Sequence, residues 1–253
     1  ALAAIQDMAR AGAVAFSDDG DGIASADMMR RVLQTCKGVD RAFMQHCQDA
    51  TLTVGASMHD GEVSASLGLV GWPRVAEELM LERDLRLNRE IGCAYHAQHL
   101  SSGGSVDILR TARNEGVPAT GEASPHHLLL TDDACDGWKT NAKMNPPLRE
   151  AADVQALRAG VAEGVITVLA TDHAPHTQHE KNVPFELAPF GIVGIETALP
   201  LYVESLIESG AIEWPRLIAL MTIEPARLCH LDTRGVGTLC VGGPADDIGE
   251  FPL

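Results

Sequence analysis

Ile166-Thr167-Val168-Leu169-Ala170-Thr171-Asp172-His173-Ala174-Pro175-His176 opens as a β-branched, apolar run and closes in acid, imidazole and proline. Gly164 precedes it and polar residues follow. An apolar run so bounded predicts a strand buried on both faces, as in a parallel sheet covered by helices. In parallel α/β folds the chemistry collects at the C-terminal ends of the strands. Here that end carries Asp172, His173 and His176, three groups that bind metals or move protons.

Working outward, the same pattern recurs. Short apolar strands are predicted over 13–16, 42–46, 93–99 and 117–123, the last weakened by Pro118 and Gly121. Helical spacing appears over 1–11, 25–37, 73–90, 102–114 and 151–163, with Gly12, Gly38, Gly92 and Gly116 as stops. A Gly- and Ser-containing loop is expected over 49–71, and another from 124 to 149. Helices are expected over 195–209, 215–221 and 225–229, then one weak strand around 238–241. Strand and helix alternate, so the sheet is parallel with helical crossovers. Five strands are fewer than the eight of a closed (β/α) barrel. An open doubly wound sheet would also fit, but no glycine-rich phosphate loop follows any strand.

The bulk numbers exclude several classes of function. The chain has 253 residues, 45 % of them hydrophobic, and a net charge of −16. That acidity argues against nucleic acid or an anionic membrane as partner. No apolar run approaches a membrane span of about 20 residues. Residues 1–10 read as a mid-protein helix without the basic start or cleavage site of a signal peptide. The expected location is cytoplasmic. Six cysteines, none in a C-x-x-C pair, predict free buried thiols rather than a zinc ribbon or a disulfide framework.

Strand ends supply Asp19, His46, His99 and Asp172. Imidazole with carboxylate suits zinc or a similar divalent ion. Ligands tens of residues apart fit a mouth where distant strands converge; the alternative is chance placement among ten histidines. Along a regular strand His96 and His99 face opposite sides, as do Asp172 and His173. On that reading His173 is structural, Cys47 turns away from the site, and His126 and His127 serve packing and hydrogen bonding, one of them free to orient a ligand. Asp18 competes with Asp19 as the ligand.

A run of motifs now carries a resemblance. Ser17-Asp18-Asp19-Gly20, Met44-Gln45-His46-Cys47, His99-Leu100-Ser101-Ser102 and Ser124-Pro125-His126-His127-Leu128 come first. Met144-Asn145-Pro146-Pro147-Leu148-Arg149, Thr171 to His176, and Ala188-Pro189-Phe190-Gly191 follow in order. Together they resemble bacterial-type dihydroorotase of the amidohydrolase superfamily. The resemblance runs from Ala1 to about Gly243. It implies a partial TIM-type (β/α) barrel with about five of eight strands and a metal-dependent amidohydrolase fold. It implies reversible interconversion of dihydroorotate and N-carbamoyl-L-aspartate, in de novo pyrimidine biosynthesis, by metal-activated hydroxide. Asp19 then binds or bridges the metals, His46 and His99 are imidazole ligands, and Asp172 is both ligand and proton shuttle. Asn145, His176, Phe190 and Gly191 bind substrate, and the cofactor is zinc, one or two ions. Partners implied are the small-molecule substrate and either a second copy, as a homodimer, or aspartate transcarbamoylase.

The sequence departs from the family in lacking the His-x-His pair and nearby Arg of the first barrel strand. The chain therefore reads as N-terminally truncated, with residues 1–230 the C-terminal two-thirds of the barrel. Residues 231–253 read as the truncated start of a small β-sandwich. The expectation is that this polypeptide alone is unstable and inactive. The competing readings are another cyclic amidase (hydantoinase, dihydropyrimidinase or allantoinase type) and a non-catalytic dihydroorotase-like subunit scaffolding aspartate transcarbamoylase. The absence of a strand-end lysine disfavours the first, because those relatives bridge their metals with a carboxylated lysine.

Overall fold

The computed structural model describes residues 2–243. The chain opens with α1 (Ile5–Arg10), β1 (Ala15–Ser17), α2 (Ala26–Gly38) and β2 (Ala42–Gln45). An excursion follows, made of β3 (Met58–His59), α3 (Glu62–Leu67) and β4 (Gly71–Trp72). Then come α4 (Val75–Ile91), β5 (Tyr95–Ala97), α5 (Gly103–Asn114), β6 (Ala119–Ala123) and α6 (Pro125–Leu129). Two 3-10 turns, Asp132–Cys135 and Thr140–Ala142, lead to α7 (Ala151–Ala162) and β7 (Val168–Leu169). The chain ends in α8 (Gln178–Lys181), α9 (Ala198–Tyr202) continued by a π turn (Val203–Ile207), α10 (Trp214–Met221) and α11 (Ile223–Leu228).

The helices form where the sequence puts an apolar stripe between a cap and a stop. In α2 the Ser25 hydroxyl accepts from the Met28 N–H, and Met29, Val32, Leu33 and Cys36 are buried, a single face at helical spacing. Helix α4 ends on Gly92 in the left-handed conformation, φ +68°. The Asn88 side chain then pairs with both backbone groups of Cys93, at 2.9 and 2.8 Å, and fastens α4 to the start of β5.

Five strands pair in the order β1-β2-β5-β6-β7, all parallel. Phe43 registers with Tyr95, and Ala97 with Gly121. Beyond β7 a single parallel bridge joins His173 to Ile192. The barrel is not closed. Its main core lies between strands and helices, around Leu33, Leu81, Tyr95, Leu109, Leu128 and Ile166. A smaller core of Met58, Leu69, Cys135 and Phe185 unites three excursions, which leave from the C-terminal ends of β2, β6 and β7. Among the described residues no helix is long and apolar enough to cross a membrane.

Several expectations need correction. The loop over 49–71 contains β3, α3 and β4, a parallel pair too short to show as a sequence period. The Ser-Pro-His-His segment is the first turn of α6, with Pro125 at a helix start where its missing N–H costs nothing. The decisive strand pairs only over Val168–Leu169. Residues 238–241 form no strand, because Leu239 and Val241 lie in solvent with nothing to pair against. Most of the 231–253 segment, including the expected sandwich start at 244–253, lies outside the described residues.

Candidate metal centre

The loop after β1 turns sharply back over the end of β2. At Gly22, φ is +66°, and a Cβ there would lie 2.7 Å from the His46 carbonyl oxygen, so only glycine allows this approach. The turn sets the Asp19 carboxylate against two imidazoles. Asp19 Oδ1 is 3.5 Å from His46 Nδ1 and 3.4 Å from His99 Nε2, and those two nitrogens are 3.0 Å apart. Both rings are buried, while the carboxylate is half exposed at the mouth. Among the described residues these three offer ligand atoms all within 4.8 Å of one another. Asp19, not Asp18, is the carboxylate brought to the imidazoles.

The donor set fits a divalent cation. His46 Nε2 donates to Gln48 Oε1 at 2.8 Å, and Gln48 Nε2 in turn donates to Thr53, so the amide orientation is settled. The His46 lone pair therefore sits on Nδ1, facing Asp19 and His99. Two ring nitrogens at 3.0 Å cannot both present lone pairs without a cation between them, so the pair shares a proton. Burial opposes charge on His99, but the hydrogen bond to Asp19 and the nearby Asp172 and Glu122 carboxylates pull its pKa up to about 9. Hydrogen bonds from His46 and His99 hold the Asp19 carboxyl well below the usual carboxylate range. A site that gathers positive charge between a carboxylate and two imidazoles suits zinc or a similar ion.

Asp172 lies outside that tight cluster. Its backbone has φ +47°, and its Oδ2 faces His126 Nε2 at 3.8 Å. Burial raises the pKa of the Asp172 carboxyl, helped by Asp19 and Glu122 and opposed by His99. Three buried polar atoms here lack partners: Asp172 Oδ2, His126 Nε2 and His99 Nδ1. Asn145 is nearby: its Nδ2 donates to the same Gln48 Oε1 at 3.3 Å, and its Oδ1 is buried without a partner. One glutamine thus connects a candidate metal ligand to a candidate substrate group.

His176, Phe190 and Gly191 come together in a second group. His176 Nε2 donates to the Phe190 carbonyl at 2.8 Å, and the Gly191 N–H donates to the Lys143 carbonyl at 2.9 Å. Gly191 packs so closely that a Cβ would fall 2.4 Å from the Ala174 carbonyl oxygen. Two buried lysines hold this loop without any carboxylate. Lys143 Nζ donates to the carbonyls of Phe185 and Glu186 and sits 4.4 Å from the centre of the Phe190 ring. Lys181 Nζ donates to the carbonyls of Thr140, Lys143 and Pro189.

Sequence reasoning gave no role to Gln48, Glu122, Lys143 or Lys181. Glu122 accepts from His96 Nε2 at 2.9 Å and from the His99 N–H at 3.2 Å. The β5 ladder ends at Ala97 and His99 has φ +29°, so strict alternation no longer governs where its ring points. A carboxylate at every other position of β6, opposite His96, was the available signal. His173 Nδ1 accepts the N–H groups of Gly194 and Ile195, a loop-holding task. The Cys47 thiol is buried against Tyr95 and the Gln45 carbonyl, away from the imidazoles, and burial pushes its pKa well up.

Known proteins share this sequence and this fold. Residues 1–105 match the family model described as dihydro-orotase-like. Over 245 residues, 97 % of this chain, the sequence is 47 % identical to a dihydroorotase of Pelotomaculum thermopropionicum, of which it covers 57 %. It is 45 % identical to the dihydroorotase of Bacillus subtilis over 93 % of this chain and 54 % of that protein. The chain thus spans little more than half the length of these relatives. An L-hydantoinase (dihydropyrimidinase) of Arthrobacter aurescens superposes with a TM-score of 0.80 at 26 % identity, over 96 % of this chain and 56 % of that one. A Saccharomyces cerevisiae dihydroorotase solved with 5-fluoroorotic acid superposes with a TM-score of 0.63 at 18 % identity, over 79 % and 52 % of the two chains.

Proposed function

We propose, from the premise that this chain belongs to the dihydroorotase family, that the whole protein is a dihydroorotase working in pyrimidine biosynthesis. It interconverts dihydroorotate and N-carbamoyl-L-aspartate. The observation that carries the reading is the Asp19–His46–His99 cluster at the strand ends of a chain 47 % identical to a dihydroorotase. Zinc is the ion the donor set fits best: one carboxylate and two neutral imidazoles, with His46 oriented by Gln48.

When bound, such an ion supplies Lewis acidity, which draws the pKa of water towards neutrality and polarises a carbonyl. The chain's own residues do the rest. Ring opening needs a group that takes a proton from the attacking water and returns one to the departing nitrogen. Asp172 suits this, since its buried position raises its proton affinity towards the working range. The substrate carboxylate needs donors. Asn145 Nδ2 and the His176 ring offer them, although His176 Nε2 and the Gly191 N–H are engaged within the loop. The Phe190 ring, in edge contact with Trp72 at 6.0 Å, closes one side and limits water.

The hydantoinase reading rests on shared fold and lower identity, 26 % against 47 %. The two buried lysines, the natural candidates for a carboxylated bridge, spend their ammonium groups on backbone carbonyls. The test uses the full-length protein, zinc-loaded, against dihydroorotate, dihydrouracil, hydantoin and allantoin. Dihydroorotate should be the preferred substrate by orders of magnitude, and chelation should abolish turnover until zinc is restored. Preference for a ring without a carboxylate would overturn the assignment.

A further inference from the structure

We propose that His126 is a positioning residue for Asp172: its Nε2–H takes hold of the Asp172 carboxylate and sets how that group faces the Asp19–His46–His99 cluster. The role of Asp172 rests on the dihydroorotase reading; the contact itself rests on geometry.

His126 Nε2 and Asp172 Oδ2 are both buried, both unpartnered and 3.8 Å apart. One is a ring nitrogen able to donate and the other a carboxylate oxygen able to accept, so each is the complement the other lacks. The approach is enforced from both sides. The neighbouring His127 is pinned at each ring nitrogen, Nδ1 by the Ser124 hydroxyl at 2.7 Å and Nε2 by the Pro146 carbonyl at 2.9 Å. This fixes the first turn of α6, and with the His126 and His127 ring centres 4.5 Å apart it aims His126 at the mouth. Asp172, one position before the bridge between His173 and Ile192, has a left-handed backbone that a non-glycine residue holds only when its surroundings determine it. The His173 ring, clamped by Gly194 and Ile195, supplies one constraint on that backbone. His126 supplies the constraint on the side chain.

A carboxylate that both meets a metal cluster and carries a proton must keep one oxygen oriented while the other works. Donation from His126 to Oδ2 leaves Oδ1 for that work. Residues in this position relative to a metal site usually alter activity by about 10–100-fold when removed.

The experiment uses the full-length protein, loaded with zinc for kinetics and with cobalt(II) for visible absorption, as wild type, His126→Phe, His126→Gln and His126→Asn. The Gln amide nitrogen reaches the place of Nε2, whereas the Asn nitrogen reaches only the place of Nδ1. The expected result is a kcat on dihydroorotate lowered about 10–100-fold in His126→Phe and His126→Asn, with KM little changed and metal content kept. The cobalt spectrum should shift in both, and His126→Gln should recover rate and spectrum. Equal impairment of Gln and Asn, metal loss that tracks the fall in kcat, or a Phe variant with wild-type rate and spectrum would each overturn the inference. Should Phe fail to fold, Gln against Asn reads the same contact. Should wild type ignore dihydroorotate, the dihydroorotase reading falls, and the cobalt spectra still decide the contact.

Discussion

Replacing Arg149 with Met should cost the protein about 4 kcal/mol of stability, and the structure shows where that comes from. Arg149 is buried at 2 % exposure. Its Nε donates to the Ser101 hydroxyl at 3.1 Å, and its Nη1 to the Trp72 carbonyl at 2.6 Å and the His59 ring at 3.2 Å. Burial lowers its pKa to about 10, so it is charged at neutral pH. The Ser101 hydroxyl in turn donates to the buried Glu77 carboxylate, which also accepts the N–H groups of Ser101 and Ser102. Met would fill the volume but leave Glu77 without its nearby positive charge and the Trp72 carbonyl without its donor. Removing one member of a buried charged network costs about 3–5 kcal/mol. For a domain of this size that lowers the melting temperature by about 10 °C, at roughly 2–4 °C per kcal/mol. Lys in place of Met should not rescue, because one ammonium cannot span Ser101 and Trp72 in opposite directions. The assay is thermal and urea unfolding of the full-length protein, followed by circular dichroism. A loss below about 1 kcal/mol, the worth of one ordinary hydrogen bond, would refute the account of Arg149 as the tie between the sheet and the β3–β4 excursion.

Three further outcomes are expected. Asp172→Asn should lower kcat at least 100-fold, the lower end of what a proton carrier contributes, with zinc retained; wild-type-like turnover would sink the role. Burial pushes the Asp84 carboxyl up to about 6, against the pull of Arg83 and Tyr95. A folded pKa above the unfolded one means the stabilisation is fully present below the unfolded value and is lost as pH rises through about 6. The slope amounts to something on the order of 3 kcal/mol between about pH 4 and 6, and urea melts of wild type and Asp84→Asn across that window should show it flattened in the variant. Lys181→Met should raise KM for dihydroorotate with little change in kcat, since it releases the carbonyls of Lys143 and Pro189 beside the Phe190–Gly191 turn; steady-state kinetics with unchanged KM would count against that role.

The parts of this molecule legible in the sequence are those whose cause is local. The stripe of Met29, Val32, Leu33 and Cys36 behind Ser25, and the left-handed stop at Gly92, gave α2 and the end of α4 close to where they lie. The five parallel strands were visible as short apolar runs that end in polar residues. What escaped was decided beyond the last ladder hydrogen bond. His99 and Asp172 both have positive φ, so the side-to-side rule of a strand stops applying one or two residues before the chemistry begins. Gln48, Glu122 and His126 act through contacts made across 20 to 100 residues of sequence, and nothing in their immediate neighbours distinguishes them. Lys143 looks like an ordinary surface lysine until the 185–191 turn folds over it.

The small core of Met58, Leu69, Cys135 and Phe185 has a consequence for how this site can diversify. Three excursions, leaving three different strands, share one set of buried side chains, and the turn bearing Phe190 and Gly191 grows out of the third. A longer or shorter loop after β2 therefore has to be matched by changes after β6 and β7 before it can be tolerated. Substrate preference in such an arrangement is inherited as a block: the strand-end chemistry can stay fixed while the three loops drift together, and a graft of any one of them into a relative should fail unless the other two travel with it.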